Sequence, residues 1–196
     1  MAEPSTDGTT RQRRFGRRWV RAGAVVVLAI AAGIGAWLLV RDDEGSTATP
    51  TATTPQATGV GPVAMSRGEL ASLSRTLDQP IYWAGARRGF TYEVTRTADR
   101  KVYVRYLPKG VKVGDSRADY LIVATYPYPR ALRALRGVAG KRAVRVRGGA
   151  SAFVDPTYPK SVHMAFPDAD YQIEVFDPSP ARARRVALSG DVTDVG

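Results

Sequence analysis

The stretch FTYEVTRTADRKVYVRYLP, residues 90–108, decides the fold. Phe90, Tyr92 and Val94 alternate with Thr91, Glu93 and Thr95, the period of two expected of a strand with one face in a core. Ala98-Asp99-Arg100 reads as a turn. From Lys101 to Leu107 the alternation resumes, with Val102, Val104 and Tyr106 on one face. Two such runs joined by a short polar turn predict an antiparallel hairpin, which needs no crossover helix.

The same reading extends toward the C-terminus. Pro108-Lys109-Gly110 and Gly114-Asp115 punctuate a loop. Tyr120 to Tyr126, YLIVATY, is the most apolar run and predicts a central strand covered on both faces. Pro127 and Pro129 end it. A helix is expected from Arg130, with Leu132, Leu135 and Ala139 on one face and Arg130, Arg133 and Arg136 on the other. Val144–Val146 and Ala152–Val154 are short strands around Gly148-Gly149. A second hairpin follows, with Val162, Met164 and Phe166 on one arm and Tyr171, Ile173 and Val175 on the other. Ser179-Pro180 opens a last helix that runs to about Leu188 before Gly190.

Toward the N-terminus, Ile81-Tyr82-Trp83 is a short strand. Before it, Ser66 and Glu69 fit a capping box for a helix carrying Leu70, Leu73 and Leu77. The sum is α+β: a mostly antiparallel sheet built from hairpins, with two or three short helices. The expected domain spans 65–190, with a polar tail over 191–196.

Residues 22–40, AGAVVVLAIAAGIGAWLLV, carry no charge. A helix of that length reaches about 28 Å, close to the hydrocarbon thickness of a bilayer. Arg11, Arg13, Arg14, Arg17, Arg18 and Arg21 precede it, while Asp42, Asp43 and Glu44 follow Arg41. The asymmetry predicts a cytoplasmic N-terminus and an outside C-terminal part. No Ala-x-Ala site follows Val40, so the expectation is a retained signal-anchor. Residues 1–21 read as a disordered basic cytoplasmic arm. Residues 41–64, rich in Thr, Pro and Ala, read as a disordered linker, with too little apolar surface to offset its ordering entropy.

The runs Tyr82-Trp83-Ala84-Gly85, YVRYLP at 103–108, VGD at 113–115 and VFDPSPARAR at 175–184 resemble a group of uncharacterised actinobacterial single-pass membrane proteins. The resemblance covers most of the folded domain and the membrane segment. It implies a cell-membrane location and an extracytoplasmic α+β domain, and it implies no activity and no site residues.

Composition excludes several chemistries. There is no Cys, hence no disulfide, thiolate nucleophile or Cys-ligated zinc, and no Asn, hence no N-glycosylation acceptor. Neither G-x-S-x-G, S-x-x-K, G-x-G-x-x-G nor a P-loop occurs. The one histidine, His163, shares a strand face with Ser161, opposite Val162 and Met164, and is expected on the exposed face. Asp115/Asp119 and Asp168/Asp170 sit beside turn signals, where Asp bonds its own backbone. Tyr82, Trp83, Tyr126, Tyr128, Tyr158 and Tyr171 fit core filling or a cleft for a sugar or peptide. No catalytic, cofactor-binding or metal site is expected.

From 65 onward the chain has 22 Lys and Arg against 13 Asp and Glu. That excess is concentrated in Arg130, Arg133, Arg136, Lys141, Arg142, Arg145 and Arg147, a run with no acid inside it. Placed outside the membrane, the run suits an anionic lipid or polymer surface better than nucleic acid. The expected partners are therefore the bilayer, through residues 22–40, and an envelope protein or anionic polymer or lipid. The expected function is a membrane-anchored interaction module of the cell envelope. An envelope enzyme with an unrecognised site, or a sensor or regulatory subunit of a membrane complex, is the alternative.

Overall fold

A computed structural model describes residues 60–196. The expected cytoplasmic arm, the expected membrane segment 22–40 and the expected linker up to residue 59 lie outside the described residues. Among the described residues no helix is long and apolar enough to cross a membrane.

The elements, in chain order, are β1 (Val60–Met65), α1 (Arg67–Leu77), β2 (Tyr82–Trp83), β3 (Phe90–Arg96), β4 (Val102–Pro108), β5 (Leu121–Pro127), α2 (Ala131–Ala139), β6 (Val144–Arg145), β7 (Ser151–Val154), β8 (Ser161–Ala165), β9 (Tyr171–Phe176), α3 (Pro180–Ser189) and β10 (Thr193–Asp194). Eight strands form one antiparallel sheet in the order β1-β3-β4-β5-β9-β8-β7-β6, and β10 pairs with β2 in a second, two-stranded sheet. The architecture is the expected antiparallel sheet with three short helices.

Both hairpins form where the alternation places them, β3 against β4 and β8 against β9. The YLIVATY run becomes β5, and its strand is central because β9 pairs with its free edge. Chain reversal at residues 127–170 thus returns the second hairpin to the first, and one sheet results.

The register lines up one valine from each of seven strands. Val63, Val94, Val104, Val123, Val175, Val162 and Val154 are successive cross-strand partners. A neighbouring row on the same face runs Thr125, Ile173, Met164 and Ala152. Onto this face pack Leu70 of α1, Ile81 and Trp83 around β2, and Ala183, Val186 and Ala187 of α3. Two side-chain bonds fasten β2 to the sheet: Tyr82 N donates to Thr125 Oγ1 (3.0 Å) and Ala84 N to the Tyr106 hydroxyl (2.6 Å). The opposite face receives α2, whose Ala131, Leu135 and Ala139 meet Phe153 and Ala165.

Local chemistry sets the helix ends. Ser66 and Glu69 complete the expected capping box, each side chain taking the other's backbone N–H. Asp78 then turns left-handed at φ +46° before Pro80. Ser179 caps α3 at Arg182, Pro180 occupies its first turn, and Gly190, at φ +88°, ends it.

Three features differ from what the residue pattern predicts. Residues 60–64, expected in the linker, belong to β1, which pairs with β3 through a bulge between Val60 and Val63. An edge strand needs only one partner and keeps its outer side in water, so a run of small residues that includes Gly61 and Pro62 suffices. The stretch 191–196, expected as a tail, carries β10, with Val192 and Val195 buried. Their two apolar side chains are too few to register as a period in sequence. His163, expected on an exposed face, is 3 % exposed. Alternation marks two faces, and it does not tell which of them α2 will cover.

Ile173 is fully buried in the apolar layer, whereas Val63 on the edge strand is 42 % exposed. Ile173→Ala is expected to cost about 2–5 kcal/mol of unfolding free energy, and Val63→Ala about 0.5 kcal/mol or less. Urea midpoints of the two variants check the order; equal losses would contradict the layer assignment.

Candidate functional site

Two groups of residues carry chemistry beyond packing. One is the basic run, and the other is a polar layer on the sheet face that faces α2.

The fold splits the basic run. Arg130 is the N-cap of α2, left-handed at φ +57°, and its backbone N donates to Asp170 Oδ1 at 2.7 Å. Arg130, Arg133 and Arg136 line a shallow recess together with Phe166, Asp168 and Asp170. The run has no acid in sequence, but the β8–β9 turn brings these two carboxylates to its first third. Arg136 is further tied down, its Nε donating to Ser151 Oγ at 3.2 Å. Asp168 and Asp170 are turn residues as expected, Asp168 being left-handed at φ +56°.

The remaining residues sit at the far edge of the sheet. Lys141 and Arg142 occupy a single 3-10 turn after α2, Arg145 lies on edge strand β6, and Arg147 begins the next turn. All seven side chains of the run are exposed. Arg142 lies over the Phe153 ring at 4.9 Å, and the Arg147 stem lies close to Gly190. Arg142 also lines a groove of about 360 Å³ between β6, β7 and α3, with Val144, Phe153, Pro156, Arg184 and Leu188. Arg184 is not among the expected site residues. It sits in the PARAR segment of α3, and nothing in sequence links that helix to residue 142.

A third, smaller recess of about 130 Å³ places Arg87, Asp119, Asp177 and Arg182 around Tyr106 and Tyr120. Its charges balance, and Arg182 Nε is bonded to Asp177 at 2.8 Å. Of the six aromatics that could have formed a cleft, none lines any of the three recesses. Tyr82, Trp83 and Tyr126 are core residues, Tyr82 stacking on Phe166 at 4.9 Å and Trp83 meeting Tyr92 edge-on.

The polar layer is a set of cross-strand rungs. Glu93 pairs with Arg105, and Glu174 with His163. Arg105 Nη1 bonds Glu93 Oε1 at 2.6 Å, and both side chains are buried. Arg105 Nη2 donates to the carbonyls of Asp115 and Arg117, and Glu93 Oε2 accepts from Gly114 N. The pair thereby holds the loop 109–119 against the sheet. Asp115 stabilises the same loop. It accepts from Arg117 and from the Tyr120 hydroxyl, and these bonds hold its carboxyl well below the usual range.

His163 Nδ1 lies 3.2 Å from Gln172 Nε2. An amide nitrogen only donates, so Nδ1 accepts and the ring proton resides on Nε2. Nε2 is buried with no hydrogen-bond partner. Burial pushes the imidazole down to about 4, against a smaller opposing pull from Asp155. Glu174 is 1 % exposed and accepts from the Tyr126 hydroxyl at 2.8 Å. Burial raises its carboxyl to about 7, partly opposed by hydrogen bonds from Ser161 and Tyr126. His163 and Glu174 therefore stand side by side as a neutral imidazole and a carboxyl poised near neutrality. Ser161 bonds Glu174 rather than the histidine, so the Ser161/His163 spacing does not produce a nucleophile with its base. Neither His163 nor Glu174 lines any of the three recesses. Among the described residues no group of three His, Asp or Glu is placed to hold a metal.

Comparison with protein families, with curated proteins and with solved structures gives no match for this chain.

The two buried groups act on stability with opposite sign. His163 has a lower proton affinity folded (about 4) than unfolded (about 6.5). The unfolded chain thus binds more protons between those values, and this contribution is lost as pH falls through them. Glu174 is raised to about 7, so its contribution is full below its unfolded value of 4.5 and is lost as pH rises through 7. Glu174→Gln is expected to leave stability that falls from pH 6.5 to 4, by up to roughly 3 kcal/mol. His163→Gln is expected to leave stability that rises as pH drops from 7 to 4.5. Urea midpoints across this range read both slopes, and parallel slopes would refute the assignment.

Proposed function

We propose that the chain is a membrane-anchored interaction module of the cell envelope, with its N-terminus cytoplasmic and its folded domain outside. The anchor is residues 22–40, and the partner is an anionic surface of lipid or polymer, or an envelope protein presenting one. One observation carries the reading: Arg130, Arg133, Arg136, Lys141, Arg142, Arg145 and Arg147 are all exposed, from the α2 end to the β6 edge. The four from Lys141 onward take no salt bridge among the described residues. Cations left in water without partners lose little on desolvation against a dense anionic surface, and each adds about 1 kcal/mol there.

The envelope-enzyme reading has one observation in its favour, the adjacency of His163 and Glu174. Against it, both residues are buried and neither lines any of the three recesses, and Glu174 is already bonded to Tyr126. A general base must reach a substrate proton directly or through one water. The interaction reading is the better supported of the two.

The full chain in zwitterionic nanodiscs is expected to bind vesicles containing phosphatidylglycerol and not vesicles of phosphatidylcholine alone. Binding should weaken with salt. The combined change Lys141→Ala, Arg142→Ala and Arg145→Ala should lower affinity about a hundredfold. Flotation assays measure it. If the triple variant binds as the parent does, and photo-crosslinking from residue 137 in cells yields no discrete adduct, the proposal is wrong.

A further inference from the structure

The groove between β6, β7 and α3 has a composition that the basic run alone does not explain. Seven of its nine lining residues are apolar and the other two are Arg142 and Arg184. Its floor includes Ala152 and Val162, both 1 % exposed, while its lips are Val144 and Leu188, 49 % and 43 % exposed. Those lips leave large apolar side chains in water on two different elements, an edge strand and a helix. Its volume, 360 Å³, lies within the range of small-molecule sites, which are apolar with a few placed polar groups.

The two arginines supply the placed charge. Among the described residues neither Arg142 nor Arg184 forms a salt bridge. Arg142 is held at the rim by its stacking on Phe153 at 4.9 Å, so part of its ordering entropy is already lost in the free protein. An apolar recess with two unpaired guanidinium groups at its mouth complements a molecule with one anionic head and one apolar tail. A guanidinium fork matches a carboxylate or phosphate in two parallel bonds. An added peptide strand fits less well. Strand β6 already pairs Ser151 and Ala152, so only Phe153 and Val154 of β7 remain open, fewer residues than strands ordinarily use.

The geometry points to this groove as a binding site for a single-tailed anionic amphiphile, with the tail between Val144 and Leu188 and the head on Arg142 and Arg184. It rests on the proposed function only in placing the domain beside a membrane, the source of such molecules.

The test uses the full chain in zwitterionic nanodiscs with palmitic acid that carries a photoactivatable diazirine in its tail. Labelled peptides are located by mass spectrometry, which separates groove labelling from partition of the probe around residues 22–40. Labelling is expected within 142–156 and 184–188. It should fall about tenfold in the Arg142→Ala/Arg184→Ala double variant, each lost charge-assisted bond contributing to that factor. It should also fall in Leu188→Glu, which changes an exposed side chain and leaves the basic run intact. An unchanged urea midpoint for Leu188→Glu shows that the loss is local. Labelling confined to 22–40, or equal groove labelling by the matching fatty alcohol, overturns the inference. Absence of groove labelling in the unaltered chain with its vesicle binding intact would reject this site alone, and groove labelling in a chain that does not bind anionic vesicles would reject the proposed function alone.

Discussion

The row of valines that crosses seven strands, from Val63 to Val154, fixes the register on which the rest of the molecule depends. A strand's side chains alternate with a period of two, so a slip of one residue in any strand would swap its whole core set for its opposite set. In β4 that would bring Tyr103 and Arg105 under α1 and α3 and expel Val102, Val104 and Tyr106. In β9 it would put Glu174 in the apolar layer in place of Ile173 and Val175. The five central valines are buried, and their branched side chains fit closely on a pleated surface. Each pairing is thus enforced by its neighbours on both sides.

Because one face forms the apolar layer, the charged residues of the inner strands are driven to the other. That face is nonetheless buried at β4, β5, β8 and β9, so its polar groups must satisfy one another. Glu93 and Arg105 do so as an ion pair that also bonds the backbone of the 109–119 loop. Tyr126, Glu174 and Ser161 do so as a neutral or half-charged cluster. His163 is an imperfect member, with Nδ1 engaged and Nε2 buried without a partner, and Thr95 Oγ1 beside Glu93 is likewise unpaired. An orphaned donor of this kind costs on the order of 1–3 kcal/mol.

The legibility of the site follows the same division. The basic run is contiguous in sequence, so its charge can be counted from the residues alone. Its spatial meaning cannot. Asp168 and Asp170 join Arg130 and Arg133 because the β8–β9 turn falls beside the start of α2, forty residues away along the chain for Asp170 and Arg130. Arg184 joins Arg142 because α3 packs on the apolar face beside β7. Charge at a distance in sequence carries no local signal.

By itself the sequence determined the hairpins, the central apolar strand, the α1 and α3 caps and the antiparallel α+β class. Each of these is written in side-chain period or in a cap within four residues, and local backbone geometry reads such patterns directly. The tertiary structure decided the strand order β1-β3-β4-β5-β9-β8-β7-β6, the recruitment of residues 60–64 and 193–194 into sheets, and the burial of His163. It also decided which arginines meet a carboxylate and which border an apolar groove. These outcomes depend on which layer packs over which face. Alternation defines the two faces, but only contacts between residues remote in the chain select their cover.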